Sequence, residues 1–175
     1  TVSILAGSTP GVHCTHSEYY YRTIRIASSS PYIDRLKKAG YRIEQSVTDK
    51  KTSVVYFAVK ETNFTKSKYD ISLWEQLTLV KALQYYWSDN SVSCTVTFKP
   101  EESADLKSAI EYCASYVKTL SFLPLDDHNY PQAPYQTITK EEYINYNKKL
   151  KKLNLKNESE QAAGEKYCSN DTCTI

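Results

Sequence analysis

The 175-residue chain is long enough for a sizeable core, and its 22 Lys and Arg against 20 Asp and Glu leave no general electrostatic case for nucleic-acid binding. No run of 18 apolar residues exists and the N-terminus lacks the charged start of a signal peptide, so the cytoplasm is the expected compartment and no membrane partner is expected. The sequence begins at Thr1, contains no methionine and enters an apolar stretch, Thr1 to Ala6, at once, which predicts a fragment or a processed product.

In chain order, Thr1 to Gly7 precedes the turn signal Ser8-Thr9-Pro10-Gly11. Tyr19 to Ala27 reads as a strand, with Tyr20, Arg22, Ile24 and Ile26 on one side and Tyr21, Thr23 and Arg25 on the other. Ser30 as N-cap, Pro31 at the first helical position, Ile33 and Leu36 three apart and Gly40 as the stop predict a short helix. Strands are predicted over Tyr41 to Val47 and Ser53 to Glu61, joined by the polar turn Thr48 to Lys51. Ser72-x-x-Glu75 forms a capping box ahead of the stripe Leu73, Leu77, Val80 and Leu83 in a helix reaching Tyr86.

A strand over Ser91 to Lys99 is followed by helical spacing at Leu106, Ile110, Cys113, Val117 and Leu120, then by a short strand over Leu120 to Leu125. Pro131 and Pro134 predict a loop without regular structure from Asp126 to Thr139. Thr139-x-x-Glu142 caps a last helix over Lys140 to Lys152, whose Lys148, Lys149, Lys151 and Lys152 read as a solvated face alternating with Leu150, Leu153 and Leu155. From Asn154 the chain is polar and carries Gly164, so a flexible tail is expected. The alternation of helices and strands is that of an α/β domain.

The five cysteines, Cys14, Cys94, Cys113, Cys168 and Cys173, include no CxxC pair and match no zinc spacing. Cys94, in a strand, and Cys113, on a helix stripe, read as small core hydrophobes. Cys14 lies between His13 and His16 with no fourth ligand in sight, so no metal is expected. The sequons at Asn63, Asn157 and Asn170 matter only in a secreted protein.

Cys168-Ser-Asn-Asp-Thr-Cys173 places two thiols on a polar segment, which suits thiol–disulfide exchange; a passive disulfide or an accident of composition is the alternative. A coil of the residues from Asn154 to Tyr167 has an r.m.s. span of about 20 Å and a stretched limit of about 45 Å, enough for the pair to enter a pocket and swing out again. At the other end, a helix opening at Thr1 would offer backbone N–H groups and the hydroxyls of Thr1 and Ser3 to a phosphate, or would use them only for capping.

Thr1 to His13 (TVSILAGSTPGVH), Tyr20 to Ala27 (YYRTIRIA), Trp87 to Phe98 (WSDNSVSCTVTF), Ser121 to Leu125 (SFLPL) and Gln132 to Tyr135 (QAPY), in this order, resemble the C-terminal part of monomeric-type adenosylcobalamin-dependent (class II) ribonucleoside-triphosphate reductases. The resemblance implies an α/β fold, the C-terminal fragment of a ten-stranded barrel, with 1–152 as barrel and 153–175 as a tail. It implies reduction of ribonucleoside triphosphates to deoxyribonucleotides by thiyl radical chemistry started by adenosylcobalamin, which is bound mostly by the part of the enzyme outside this chain. The finger loop with its radical cysteine, and the two cysteines that reduce the substrate, have no match here, so the chain alone should be inactive.

By the same resemblance, Cys168 and Cys173 are the C-terminal dithiol relay to thioredoxin or a similar reductant. Thr1 is the last residue of the family's Pro-Ser-Gly-Thr phosphate loop, with Ser3 one step into the following helix. A deoxynucleotide effector would act through the N-terminal remainder, which is itself a partner. A Thr is also what an intein needs immediately downstream, so an intein junction is one reading of the start and simple truncation the other. An independent thiol–disulfide redox protein and a non-enzymatic binding module are the rival functions.

Overall fold

The structure, a computed structural model, describes residues 2–9, 11–125, 130–153, 168–169 and 172–173; for Val2 and the last two pairs it describes the backbone. The expectations for Thr1 and for 154–167 therefore lie outside the described residues. The chain divides into two compact units, one of residues 1–18 and 61–128, the other of 19–60 and 129–175.

The first unit holds α1 (Val2–Ala6), α3 (Leu73–Tyr86), β4 (Thr95–Phe98), α4 (Leu106–Cys113) and β5 (Ser121–Pro124), with a 3-10 turn over Pro100–Asp105. β4 and β5 pair in parallel, Thr95 opposite Ser121 and Phe98 opposite Pro124. Ser72 caps α3 by accepting from the Glu75 N–H, while the Glu75 carboxylate is taken by Lys66 at 2.6 Å, so only half of the expected capping box forms.

Leu73, Leu77, Val80, Cys94, Val96, Phe98, Ala109 and Cys113 make this unit's core. Leu106, Ala109 and Cys113, at helical spacing, turn α4 inward, whereas Ile110, expected on that stripe, is half exposed at its edge, about 100° round the helix from Ala109. β4 is shorter than the strand expected over Ser91 to Lys99 because helix side chains serve its approach. The Gln84 amide accepts from the Val92 N–H and donates to the Ser88 and Asn90 carbonyls. Buried Gln76 pairs with both backbone groups of Thr97, N–H to Oε1 at 2.9 Å and Nε2 to carbonyl at 2.7 Å, as a neighbouring strand would.

The second unit is a four-stranded antiparallel sheet in the order β2-β3-β1-β6, from β1 (Tyr19–Ala27), β2 (Ile43–Gln45), β3 (Thr52–Lys60) and β6 (Tyr135–Thr137). Tyr20 and Thr23 point to opposite faces of β1 and both are buried, so this strand is covered on each side. The loop expected over Asp126 to Thr139 contains the edge strand β6. Pro134 lacks an N–H but lends its carbonyl to the Thr23 N–H at 3.0 Å, and Tyr135 can then pair with Arg22.

α2 (Pro31–Lys38) starts at Ser30, whose hydroxyl accepts from the Tyr32 N–H, and stops at Gly40 with φ +92°. A Cβ at Gly40 would stand 3.1 Å from the Lys149 carbonyl, so glycine is needed there twice over. α5 (Lys140–Lys148) carries a complete capping box between Thr139 and Glu142. It ends four residues earlier than expected because Lys149 and Leu150 bond three residues back and Lys151 then donates to the Ala39 carbonyl. The four lysines of the basic cluster are exposed, as a solvated face requires.

Candidate functional site

Ser3 stands in the first turn of α1, almost fully buried, and its hydroxyl has no hydrogen-bond partner among the described residues. The other end of α1 is fixed: Thr62 donates its hydroxyl to the Ala6 and Gly7 carbonyls at 2.8 Å, and Gly7 takes the left-handed φ of +57° that ends the helix. Beyond it, buried Glu61 accepts from the Thr9 N–H at 2.7 Å and from the Thr9 hydroxyl at 3.3 Å, holding the turn after α1. Glu61 carried no sequence signal, since a carboxylate as the last residue of the strand expected over Ser53 to Glu61 reads as a surface group. Thr1, paired with Ser3 in the sequence reading, lies outside the described residues.

Three cysteines of the first unit are free thiols. Burial, aided by the charge of Glu75, raises Cys14; burial, aided by Cys14, pushes Cys94 up to about 11; burial raises Cys113 against the opposing charge of Lys81. All three therefore stay protonated at neutral pH, which makes them poor nucleophiles. Cys94 and Cys113 are core residues, as their positions in the sequence implied. His16 stacks edge-on against Tyr69, and burial together with the charge of Lys68 lowers its pKa to about 4, so it is neutral at physiological pH. Among the described residues, no three His, Cys, Asp or Glu side chains converge as a metal site would require.

In the second unit the polar groups gather around Glu44. Its carboxylate accepts from Arg42 at 2.8 Å and from the Tyr56 hydroxyl at 2.8 Å, with the Gln132 amide at 3.3 Å. The Arg42 guanidinium lies over the Tyr56 ring, and Tyr21 packs edge-on against Tyr56 and Tyr146. Burial works to raise the pKa of Glu44, and the hydrogen bonds from Tyr56, Arg42 and Gln132 overcome it, leaving a lowered value. Gln132, buried and at φ +59°, also accepts from the Val47 N–H and donates to the Gln45 carbonyl. The arrangement fixes the β2–β3 hairpin to the approach of β6 and leaves its carboxylate engaged, so it is a structural centre.

The chain's last described elements are β7 (Cys168–Ser169) and β8 (Thr172–Cys173), an antiparallel pair with Cys168 opposite Cys173. Facing positions of an antiparallel pair have Cα atoms about 4.5–5.5 Å apart, a span that a disulfide bridges. The backbone register thus puts the two sequence-predicted thiol positions across from each other.

An α/β segment with a facing cysteine pair is compatible with a redox protein, and similarity to known proteins gives a class its name. No protein-family model matches the chain. The chain is 41% identical over 186 residues to an adenosylcobalamin-dependent ribonucleoside-triphosphate reductase of Euglena gracilis, an alignment covering 99% of this chain and 25% of that protein. A probable enzyme of the same name from Dictyostelium discoideum is 40% identical over 182 residues, covering 100% of this chain and 24% of that one. The solved structure of a B12-dependent (class II) ribonucleotide reductase superposes with a TM-score of 0.72 at 34% identity, over 85% of this chain and 21% of that one.

The chain is a homologue of a part of the adenosylcobalamin-dependent ribonucleoside-triphosphate reductases, and it spans about a quarter of the length of these curated relatives. The resemblance read from the motifs and the α/β fold expected from it both hold. The cofactor in the relatives' names is adenosylcobalamin.

Proposed function

We propose that this chain is a segment of an adenosylcobalamin-dependent reductase of ribonucleoside triphosphates, to which it contributes a wall of the fold, the lip of a substrate phosphate site and a dithiol relay. The observation that carries the reading is similarity along practically the whole chain to reductases of that name. Adenosylcobalamin, when bound by the remainder of the enzyme, supplies the radical that starts substrate reduction. On this reading the chain's own part lies in binding and in the return of electrons.

In that role Cys168 or Cys173, as thiolate, attacks the disulfide left in the active site after turnover. A mixed disulfide forms, the second cysteine resolves it, and the active-site dithiol is restored while the pair becomes a disulfide. Thioredoxin or a similar dithiol then reduces the pair. Facing register in β7 and β8 supports a bond between the two, and the raised pKa values of Cys14, Cys94 and Cys113 leave the tail pair as the better-suited thiols. At the other end, the buried Ser3 hydroxyl, without a hydrogen-bond partner among the described residues, supports a phosphate contact that Thr1 would share.

The test is turnover of the complete enzyme carrying Cys168→Ser and Cys173→Ser, assayed with thioredoxin and separately with dithiothreitol. Thioredoxin-dependent turnover is expected to fall by at least about 100-fold, while dithiothreitol, small enough to enter the site, sustains the reaction. Equal support of the double variant by both reductants refutes the relay and leaves the reductase assignment standing. Inactivity of the unmodified enzyme with adenosylcobalamin and ribonucleoside triphosphates refutes the assignment. An effector deoxynucleotide would act through the remainder.

A further inference from the structure

Alternate residues of a strand direct their N–H and C=O groups to opposite edges. Along β1 the even-numbered set faces β3: at its two ends the Glu18 carbonyl accepts from the Glu61 N–H and the Ser28 N–H donates to the Lys51 carbonyl, both at 2.8 Å. The odd-numbered set faces β6: the Tyr19 carbonyl accepts from the Ile138 N–H at 3.1 Å and the Thr23 N–H donates to the Pro134 carbonyl at 3.0 Å. β6 pairs only with Tyr20 to Arg22, so past Thr23 no described strand is hydrogen-bonded to this edge. The Thr23 carbonyl is taken by the Arg22 guanidinium at 3.2 Å and the Ala27 carbonyl by the Ser30 N–H at 2.9 Å. Between them the N–H and carbonyl of Arg25 and the N–H of Ala27 stay open, without a hydrogen-bond partner among the described residues.

One segment lies close enough to fill this gap. Cα atoms of β8 come within 8 Å of Cα atoms of β1, nearer than the roughly 10 Å between stacked sheets. β3 lines the other edge of β1 from Tyr19 to Ala27, and buried Tyr20 and Thr23 show that both faces are covered, which leaves the edge past β6 as the place where β1 can take a neighbour. We infer that the edge of β1 from Arg25 to Ala27 is the resting seat of the C-terminal cysteine pair, to which β8 adds as a further strand and which it leaves when the pair goes to the active site. Recognition is by backbone hydrogen bonds, so the seat selects an extended segment rather than a particular side chain. An open strand edge is also a template for foreign chains, and a tail of the same molecule covers it at the millimolar effective concentration of a tethered segment. So few bonds let the tail go again in each cycle. The departure from the seat rests on the reading of Cys168 and Cys173 as a relay.

The experiment is amide hydrogen exchange in the complete reductase, with and without residues 168–175, read residue by residue by mass spectrometry with electron-transfer fragmentation. Removing them should speed exchange at Arg25 by at least about threefold and leave Thr23, bonded to Pro134, unchanged. A smaller change at Arg25 overturns the seat. Equal acceleration at Thr23 overturns it too, since the tail would then brace the whole sheet. Protection of Arg25 that is lost on dilution assigns the edge to the tail of a second copy and is likewise fatal. The complete enzyme carrying Cys168→Ser and Cys173→Ser separates seat from relay: thioredoxin-dependent turnover that persists while the tail protects Arg25 defeats the relay alone, and turnover that is lost while Arg25 is indifferent to the tail defeats the seat alone.

Discussion

In the unit built on β4 and β5, the strands are short, parallel and dressed by helices whose leucines and valines form one apolar cluster; in the unit built on β1, β2, β3 and β6, two long antiparallel strands flanked by two short ones carry tyrosines, and an exposed-looking set of polar residues locks them together. Each nevertheless meets the same requirement, that backbone groups at a strand end find partners. In the first unit helix glutamines Gln76 and Gln84 provide them; in the second, Gln132 does so from a loop at positive φ. The two units thus differ in what holds their strand ends, helix amides in one and a loop-borne hydrogen-bonded latch in the other, while each buries apolar side chains, Leu77 and Val96 in the first, Val54 and Val55 in the second.

The largest effect that tests this contrast is expected at Leu77, fully buried in the first core. Leu77→Ala should cost about 3 kcal/mol by lost transfer energy and residual cavity, read by urea denaturation of the intact chain. A loss below about 1 kcal/mol would mean that the cluster is not the main support of its unit.

Gln132 comes next. Gln132→Ala leaves the Val47 N–H and the Gln45 carbonyl without their partner and should cost about 2 kcal/mol. Gln132→Gly removes the same bonds but relieves a left-handed backbone worth about 1 kcal/mol, so it should be the less damaging of the two. The reverse order would show that the side chain is not what holds the loop in that conformation.

This latch was not legible in the sequence. Gln132 sits between Pro131 and Pro134, where composition says loop, and nothing local reports that its amide will reach the Gln45 carbonyl, the Val47 N–H and the Glu44 carboxylate. β6 was missed for a related reason, since a strand that begins immediately after a proline depends on a partner 112 residues away, seen in the bond from Arg22 to the Pro134 carbonyl. By contrast, α2, α3 and β1 were readable because their signals are local: caps at Ser30 and Ser72, a stop at Gly40, and unbroken alternation from Tyr19 to Ala27. The site divides in the same way. Spacing singles out the cysteine pair but leaves relay and accident open, while the facing register of Cys168 and Cys173, the buried hydroxyl of Ser3 and the anchoring carboxylate of Glu61 come only with the folded chain.

The units should also separate along the pH axis. Because the folded pKa of His16 is lowered to about 4 from 6.5, the unfolded chain binds more protons between these values, and stability of the first unit should fall as pH drops through that window. Glu44, lowered from 4.5, stabilises the second unit above that value and ceases to do so as pH falls below it through the folded pKa. His16→Gln should flatten the dependence between pH 6.5 and 4 and leave the more acidic limb in place, measured by urea midpoints across pH. An unchanged slope in that window would assign it to other groups.

The smallest effect discriminates between two motifs that look the same on paper. Ser72-x-x-Glu75 and Thr139-x-x-Glu142 are both capping-box sequences, yet only the second closes both bonds: Glu142 accepts from the Thr139 N–H at 2.7 Å, and the Thr139 hydroxyl accepts from the Glu142 N–H at 3.1 Å. Lys66 has drawn Glu75 away from its cap. Thr139→Ala should therefore cost about 1 kcal/mol, and Glu142→Ala should add a further loss by freeing the Thr139 N–H. At the other motif Ser72→Ala should weaken the start of α3, whereas Glu75→Ala should leave the cap intact, since the Ser72 hydroxyl still accepts from the backbone of residue 75. Amide hydrogen exchange at the first turns of α3 and α5 reads the two caps separately. Equal loss of protection on removing either glutamate would show that the Lys66 pair does not compete with the cap, and that a sequence motif alone decides how a helix begins.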